Sequence, residues 1–397
     1  MADINEFTSQ WKNPSDASTV LMVIGGDIVQ KALAQSTGSL FTPVCFSFGW
    51  VAYAFTTLLN TIGDGRLLPP PDYPVKVWNL NSGYCRENKN WVIGRIVRDH
   101  ETSISRQEPL GNNAIRIVVY EADKSPNGPT HFSYGYLHIY GAATMVLQLI
   151  VAAIPILLHG EWIVFMITIV GTCLTLIAGA LPQWTAEKLP NQQNSCSTYA
   201  LTSGNGSRDV MVIKGMGQCL DLEELCVSES PRRTRPWSKF SNSSQVFYRM
   251  LPRVAGWPKF PLGFWMTRIT CLLLSILWLL LLIGVAGIQQ DTWFLLVTGA
   301  MGMFQNGIVA AVERPFNTRN LFLTKIDTIK TRKVMDGLMD LEVSHSCGRC
   351  LVREFFPGKL RPNEDAWWGG YKEPYDRERA KTRSLAGNEA WKANLKG

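Results

Sequence analysis

"TWFLLVTGAMGMFQNGIVAAVERPF", residues 292–316, is apolar enough to cross a bilayer, yet it carries Gln305 and Asn306 near its middle and Glu313 and Arg314 at its end. A hydrocarbon core of about 30 Å takes roughly 20 residues of helix. An unsatisfied polar group inside it costs several kcal/mol. The amide pair therefore demands partners, either hydrogen-bonding neighbours on other helices or a pocket in which the amides work.

The neighbours are present. Residues 41–62, 137–158, 162–181 and 269–288 also reach or approach spanning length, so a mean hydropathy of +0.01 over 397 residues hides strong segregation. The pattern predicts a mainly α, polytopic membrane protein with five transmembrane helices, the fifth at 292–312. Residues 1–40 form an N-terminal segment whose start lacks the basic flank and short apolar core of a cleavable signal, so the first span is expected to direct insertion. Within it, residues 18–35 are amphipathic but broken by Gly25, Gly26, Asp27, Gln30 and Lys31. They read as an interfacial or re-entrant helix.

Basic residues resist translocation, so their distribution orients the chain. Lys and Arg number two before residue 41, nine in 63–136, ten in 182–267 and seventeen from 313 onward, whereas the turns at 159–161 and 289–291 have none. All three basic connections fall on one side if the N-terminus is lumenal and the C-terminus cytosolic, in the endoplasmic reticulum or another endomembrane. The net charge of +7 is then a topological signal and an attraction to anionic lipid. Nucleic acid is not an expected partner, because no recognition element concentrates the charge. Of the nine cysteines, Cys347 and Cys350 in "CGRC" have half the spacing of a zinc site; the matching pair is missing, and no metal is expected. The sequons at Asn205 and Asn242 lie on the cytosolic side, so glycosylation at either would invert the orientation.

The 63–136 connection opens with "GDGRLLPPPDYP", whose prolines bar a helix. Two β-like runs follow, "NWVIGRIVRDH" and "AIRIVVYEAD". In 182–267, "YALT" and "DVMVI" flank a Gly-Asn-Gly-Ser turn, a hairpin signal. These runs predict a small cytosolic β-containing insert. "SPRRTRPWSKFSNSS" reads as a basic linker. The tail 313–397 contains "RKVMDGLMDLEV", with Val334, Leu338 and Leu341 on one helical face, a packing helix under the bundle. The last stretch, "DRERAKTRSLAGNEAWKANLKG", is charged and expected to be loosely ordered.

Orientation assigns depth. Asn60 and Asp64 end the first span at the cytosolic face, His138 and Tyr140 begin the second there, and Asn306 and Glu313 finish the fifth there. Phe46, Trp50, Tyr53, Thr57 and Asn60 share one helical stripe; Tyr140, Thr144 and Gln148 share another; Gly302, Asn306 and Glu313 share a third, with Gln305 beside it. If the stripes face one another they enclose a pocket with aromatic walls and a carboxylate mouth. Each residue has a plainer alternative. Interhelical amides often only bond their neighbours, at about 0.6 kcal/mol each, an aromatic stripe packs, His138 can be a bonded edge residue, and Asp64 and Glu313 can pair with Arg66 and Arg314. The chemistry that suits such a pocket is protonation of an epoxide or alkene by a carboxylic acid, Glu313 or Asp64, with aromatic faces shielding the electron-poor carbon. The same equipment suits a lipid carrier.

"GGDIVQKALAQ", "TPVCFSFGWVAYAF", "GDGRLLPPPD", "NWVIGRIVRD", "ERPF" and "KVMDGLMDLE", with "GRCLVREFFPGKLRPNEDAWW", make most of the chain resemble a large family of fungal polytopic membrane proteins. That family includes membrane-bound terpene cyclases of meroterpenoid pathways, the ascofuranone type. The resemblance implies a cofactor-independent isomerase in secondary metabolism that closes an oxygen heterocycle on a lipophilic prenylated aromatic with a terminal epoxide. The chain has no DDxxD-type cluster for ionising a diphosphate, which is consistent with triggering by a proton. The catalytic candidates are thus Glu313, Asp64 and His138. The substrate-binding candidates are Phe46, Trp50, Tyr53, Asn60, Tyr140, Gln305 and Asn306. A non-enzymatic transporter or scaffold for lipophilic metabolites is the rival expectation.

Overall fold

The computed structural model describes residues 15–38, 41–63, 65–124, 135–190, 192–228, 262–288 and 291–382. Asp64, the basic linker, Asn242 and the final 383–397 lie outside the described residues. The described part is mainly helical with one sheet. Three helices are long and apolar enough to cross a membrane, within Tyr136–His159, Leu262–Ala286 and Thr292–Ala311, and a shorter apolar helix occupies Ile163–Gly179. In chain order the helices are α1 (Ser15–Ser36), α2 (Gly49–Ile62), α3 (Trp91–Gln107), α4 (Tyr136–His159), α5 (Ile163–Gly179), α6 (Gln183–Lys188), α7 (Leu222–Val227), α8 (Leu262–Ala286), α9 (Thr292–Ala311), α10 (Val334–His345), α11 (Arg349–Phe355) and α12 (Pro362–Trp368). Residues 373–382 are also helical.

The outer faces of the long helices are apolar. Along α8, Leu272, Leu273, Ile276, Leu277, Leu280 and Ile283 are all exposed. A continuous flank of that kind is far larger than a water-soluble surface tolerates and fits lipid contact. Helices α4 and α5 form an antiparallel hairpin, while α8 packs on α2 and α5, and α9 packs on α1 and α4. Where α4 ends and α9 begins, His159 Nδ1 lies 3.2 Å from Asp291 Oδ2.

At the opposite end stands a six-stranded mixed sheet in the order β2-β1-β4-β5-β3-β6. Its strands are β1 (Lys76–Asn79), β2 (Tyr84–Glu87), β3 (Ile115–Ala122), β4 (Thr198–Thr202), β5 (Asp209–Lys214) and β6 (Leu323–Thr331). The first three come from the connection before α4, the next two from the connection between α5 and α8, and the last from the tail after α9. Their hydrogen bonding into one sheet places all three basic connections on the same side. Strands β3 and β5 pair in parallel although the α4–α5 hairpin lies between them in the chain. Both sheet faces are covered. Ile115, Ile117, Val119, Val210 and Val212 face α10 and α11, while Val118, Tyr120, Met211 and Ile213 join the core shared with α3 and the bundle.

Three expectations change in the structure. The run at 91–100 is helix α3, not a strand. Asn90 caps it by accepting the Val92 N–H at 2.8 Å, and Ile93, Ile96, Val97, His100 and Ile104 lie on its buried stripe at helical spacing. The helix α10 packs against the sheet rather than under the bundle. The stretch 41–62 is not one continuous helix: α2 begins only at Gly49, and Thr42–Ser47 is buried without regular secondary structure. Both ends of this excursion lie at the sheet end of the bundle. Gln35 Nε2 donates to the carbonyl of Val312 at the close of α9 (2.9 Å), and Arg268 near the start of α8 donates to the carbonyls of Thr61 and Ile62. The chain thus enters the bundle without helix and returns as helix. Amphipathic α1 runs alongside, and the backbones of Gly25 and Gly49 touch where it crosses α2.

Candidate functional site

The amides of α9 act on the non-helical segment. Asn306 Oδ1 accepts the N–H of Cys45 at 2.9 Å and Asn306 Nδ2 donates to the Cys45 carbonyl at 3.0 Å. Gln305 Nε2 donates to the Pro43 carbonyl at 2.7 Å, and its Oε1 also accepts from Cys45 N–H at 3.3 Å. From α4, Gln148 Nε2 donates to Phe46 O at 2.8 Å and to Thr298 O at 2.7 Å. Non-helical chain buried among apolar helices has neither a helix or sheet partner nor water, so side chains must replace them. Of the polar stripes only Gln148, Gln305 and Asn306 meet, and they meet on backbone rather than around a pocket.

The aromatic residues pack around the same segment. Phe46 and Trp50 each stack on Trp278 of α8, at centroid distances of 6.1 and 5.7 Å, and Tyr53 meets Trp50 edge-on at 5.3 Å. Trp50 Nε1 donates to Cys45 O. Between Tyr53, Thr57, Cys271 and Trp278 only about 10 Å³ is open, roughly room for one water. Asn60 and Tyr140 are half-buried and apart from this cluster. His138 is buried at the start of α4, where its Nδ1 accepts the Gly135 N–H at 3.1 Å.

Glu313 lies elsewhere. Just past α9 it helps line a cleft of about 370 Å³ between α3, β3 and the turn after α9, together with Asp99, His100, Tyr120, Arg314 and Phe316. Arg106 of α3 holds its carboxylate at 3.0 Å. The wall is aromatic: His100, Tyr120 and Phe316 contact one another at centroid distances of 5.5 to 6.0 Å. His100 is only 3% exposed, and neither ring nitrogen has a hydrogen-bond partner. Burial, reinforced by Arg116 and Lys325, pushes its pKa down to about 4, so the ring is neutral at pH 7.

A charged floor supports the cleft. Asp99 accepts from Arg98 (2.6 Å), from Arg319 (2.5 Å) and from the Arg314 N–H (3.1 Å). Arg314 in turn donates to Gln35 O at the end of α1. Burial lowers Arg314 to about 10 and takes Lys188 well below the usual lysine value. Opposite, Arg116 of β3 closes the C-terminal end of α3 by donating to the carbonyls of Ile104 and Glu108.

Asp99, His100, Tyr120 and Phe316 were not among the sequence candidates. The signal that could have found them is the Asn cap and the helical spacing within "NWVIGRIVRDH", which turn His100 toward the end of α9. Among the described residues, no group of three or more His, Cys, Asp or Glu is arranged to hold a metal ion. Comparison with protein-family models, curated proteins and solved structures finds no match for this chain. Fold and site define a mainly helical protein with helices long and apolar enough to cross a membrane, a sheet layer at one end of them and a cleft where the two meet.

Proposed function

We propose that the chain is a membrane-bound cyclase that opens the epoxide of a prenylated aromatic with acid and closes an oxygen heterocycle, and that the reaction takes place in the cleft at the sheet end of the bundle. The observation that carries this reading is the placement of Glu313 beside Tyr120 and Phe316 around about 370 Å³ of space at the helix ends. That volume is within the range of small-molecule sites, whereas the space among the bundle aromatics is not. Glu313 gives a proton to the epoxide oxygen as the C–O bond breaks. The aromatic faces shield the electron-poor carbon. The substrate's own hydroxyl oxygen then forms the new C–O bond, and its proton returns to Glu313, so mass and redox state are unchanged.

The sheet side is the cytosolic side in this reading and the membrane is an endomembrane, because the connections that build the sheet carry nearly all the basic residues. A prenyl tail would reach the cleft from the adjoining leaflet. Microsomes containing this chain alone should convert a prenylated aromatic epoxide to an isomer of unchanged mass. Glu313→Gln should abolish that turnover while leaving expression and insertion intact, and undiminished turnover in the variant would remove Glu313 from the mechanism. The filled interior of the bundle favours a second reading, a non-enzymatic scaffold for lipophilic metabolites. It would be supported by retention of the epoxide on the protein with no isomer formed; accumulation inside vesicles would point to transport.

A further inference from the structure

We infer that the hydroxyl of Tyr120 is a second hydrogen-bond donor in this cleft, aimed at the oxygen of the ligand's epoxide while Glu313 supplies the proton. The inference rests on the reading above and adds to it a catalytic residue that keeps its own proton.

Tyr120 combines a fixed ring with an unengaged oxygen. The residue is only 7% exposed, and its ring meets His100 and Phe316 edge-on at centroid distances of 5.5 and 5.7 Å. Its strand, β3, is paired on both sides, with β5 and with β6. A tyrosine this buried normally bonds its hydroxyl. This one has no hydrogen-bond partner among the described residues and, unlike the sealed ring nitrogens of His100, keeps accessible surface at the wall of the cleft. The other polar side chains of the lining are engaged. Gln107 Nε2 donates to Ser103 Oγ at 3.3 Å, Asp99 accepts the Arg314 N–H, and Arg106 holds Glu313.

The chemistry of the group narrows its task. Burial, reinforced by Glu108, pushes the Tyr120 phenol up to about 12, so at pH 7 it stays protonated and can donate. As the C–O bond of an epoxide breaks, negative charge gathers on the departing oxygen. A donor already fixed in place bonds that oxygen more strongly then than in the ground state, which is what lowers a barrier. Glu313 gives its proton to the oxygen and recovers one from the attacking hydroxyl, so Tyr120 exchanges none and no further reactant is needed. The parent alkene has the same shape and no acceptor, so the same hydroxyl separates an epoxide from its precursor.

The test uses the full chain in lipid nanodiscs with an isotope label at the tyrosine Cζ. Prenylbenzene epoxide and prenylbenzene are the binding probes; neither has a hydroxyl with which to close a ring, so binding is read apart from cyclisation. The epoxide should shift one signal saturably, the signal that is missing from Tyr120→Phe, and should bind more tightly than prenylbenzene. Tyr120→Phe should erase that preference. With the epoxide of ortho-prenylphenol as substrate, the variant should lose at least about tenfold in kcat with KM little changed. Because no hydrogen bond of the folded protein is removed, its denaturation midpoint should stay where it is. A lowered midpoint would mean that the hydroxyl is bonded within the protein and overturns the inference, as does a Tyr120 signal that the epoxide fails to move. A shifted signal with no isomer formed defeats the cyclase reading and leaves the hydrogen bond standing; turnover at an unchanged kcat in Tyr120→Phe defeats this inference alone.

Discussion

Asn306 grips Cys45 by both of its backbone polar groups, accepting the N–H at 2.9 Å and donating to the carbonyl at 3.0 Å. An isolated amide in a spanning helix is a burden; paired with unwound backbone it lets the chain enter the bundle without helix and leave as helix. Both Cys45 groups also have a reserve, Gln305 Oε1 for the N–H and Trp50 Nε1 for the carbonyl.

That redundancy makes a non-additive prediction. Asn306→Leu should cost about 1–3 kcal/mol, because the reserve bonds survive it. Gln305→Leu together with Asn306→Leu should cost more than the sum of the single changes, since only the double variant strips both side-chain acceptors from the Cys45 N–H. Thermal unfolding in detergent, followed by loss of the monodisperse peak, measures both. Strict additivity would show that the segment is held by other contacts.

Glycines of α9 should separate sharply. A Cβ at Gly302 would sit 1.7 Å from the Phe46 carbonyl oxygen, whereas one at Gly307 meets nothing within 4 Å. Gly302→Ala should therefore displace the non-helical segment and destabilise by at least about 3 kcal/mol, as overpacking against backbone does. Gly307→Ala should be neutral or stabilise by up to about 1 kcal/mol through helix propensity. The same unfolding assay decides, and equal behaviour of the two would mean that the close approach at Gly302 is not a feature of the folded protein.

The sequence pattern exposed some of this architecture and concealed the rest for physical reasons. Apolar runs and basic connections were legible because partition into lipid acts on composition, which needs no tertiary information. The β4–β5 hairpin was legible from its turn chemistry, with Gly204 and Gly206 both at positive φ. Helix α3 was hidden because Val92, Ile93, Ile96 and Val97 are β-branched and its stripe is masked by a buried Arg95. The break before Gly49 was hidden because Thr42–Ser47 is as apolar as a helix would be, and only the amides on α4 and α9 betray that its backbone is unwound. Depth placed Glu313 at the end of the last span, but the residues it meets there come from α3 and β3, whose packing against the end of α9 no local pattern encodes.

The floor of the cleft should be more fragile than its rim. Buried Asp99 compensates buried Arg319 and half-buried Arg98 and also accepts the Arg314 N–H. Asp99→Asn keeps the shape but leaves the guanidinium groups without that charge, a loss expected at about 3–5 kcal/mol. Arg106→Gln removes an exposed partner of Glu313 and should cost less than about 1 kcal/mol. Denaturation midpoints of the two variants should differ accordingly. Comparable losses would show that the buried network contributes no more than a surface pair.

Two groups near the sheet end of the bundle should tilt the pH dependence of stability in opposite directions. His100 has its folded pKa lowered to about 4 from 6.5. The unfolded chain therefore binds the extra proton between those values, and the stability tied to a neutral His100 is complete above pH 6.5 and lost as pH falls toward 4. Glu187 is the reverse case. It accepts from Leu67 N–H, Leu68 N–H and Gln183 Nε2, yet burial dominates and raises its carboxyl to about 7 from 4.5. Its contribution is complete below pH 4.5 and lost as pH rises through 7. Relative to the unaltered protein, His100→Phe should thus gain about 1.4 kcal/mol per unit as pH falls from 6.5 to 4, and Glu187→Gln should gain a similar amount per unit as pH rises from 4.5 to 7. Urea midpoints taken across that range measure both gaps, and a gap independent of pH in either variant would mean that the residue titrates alike in the folded and unfolded chain.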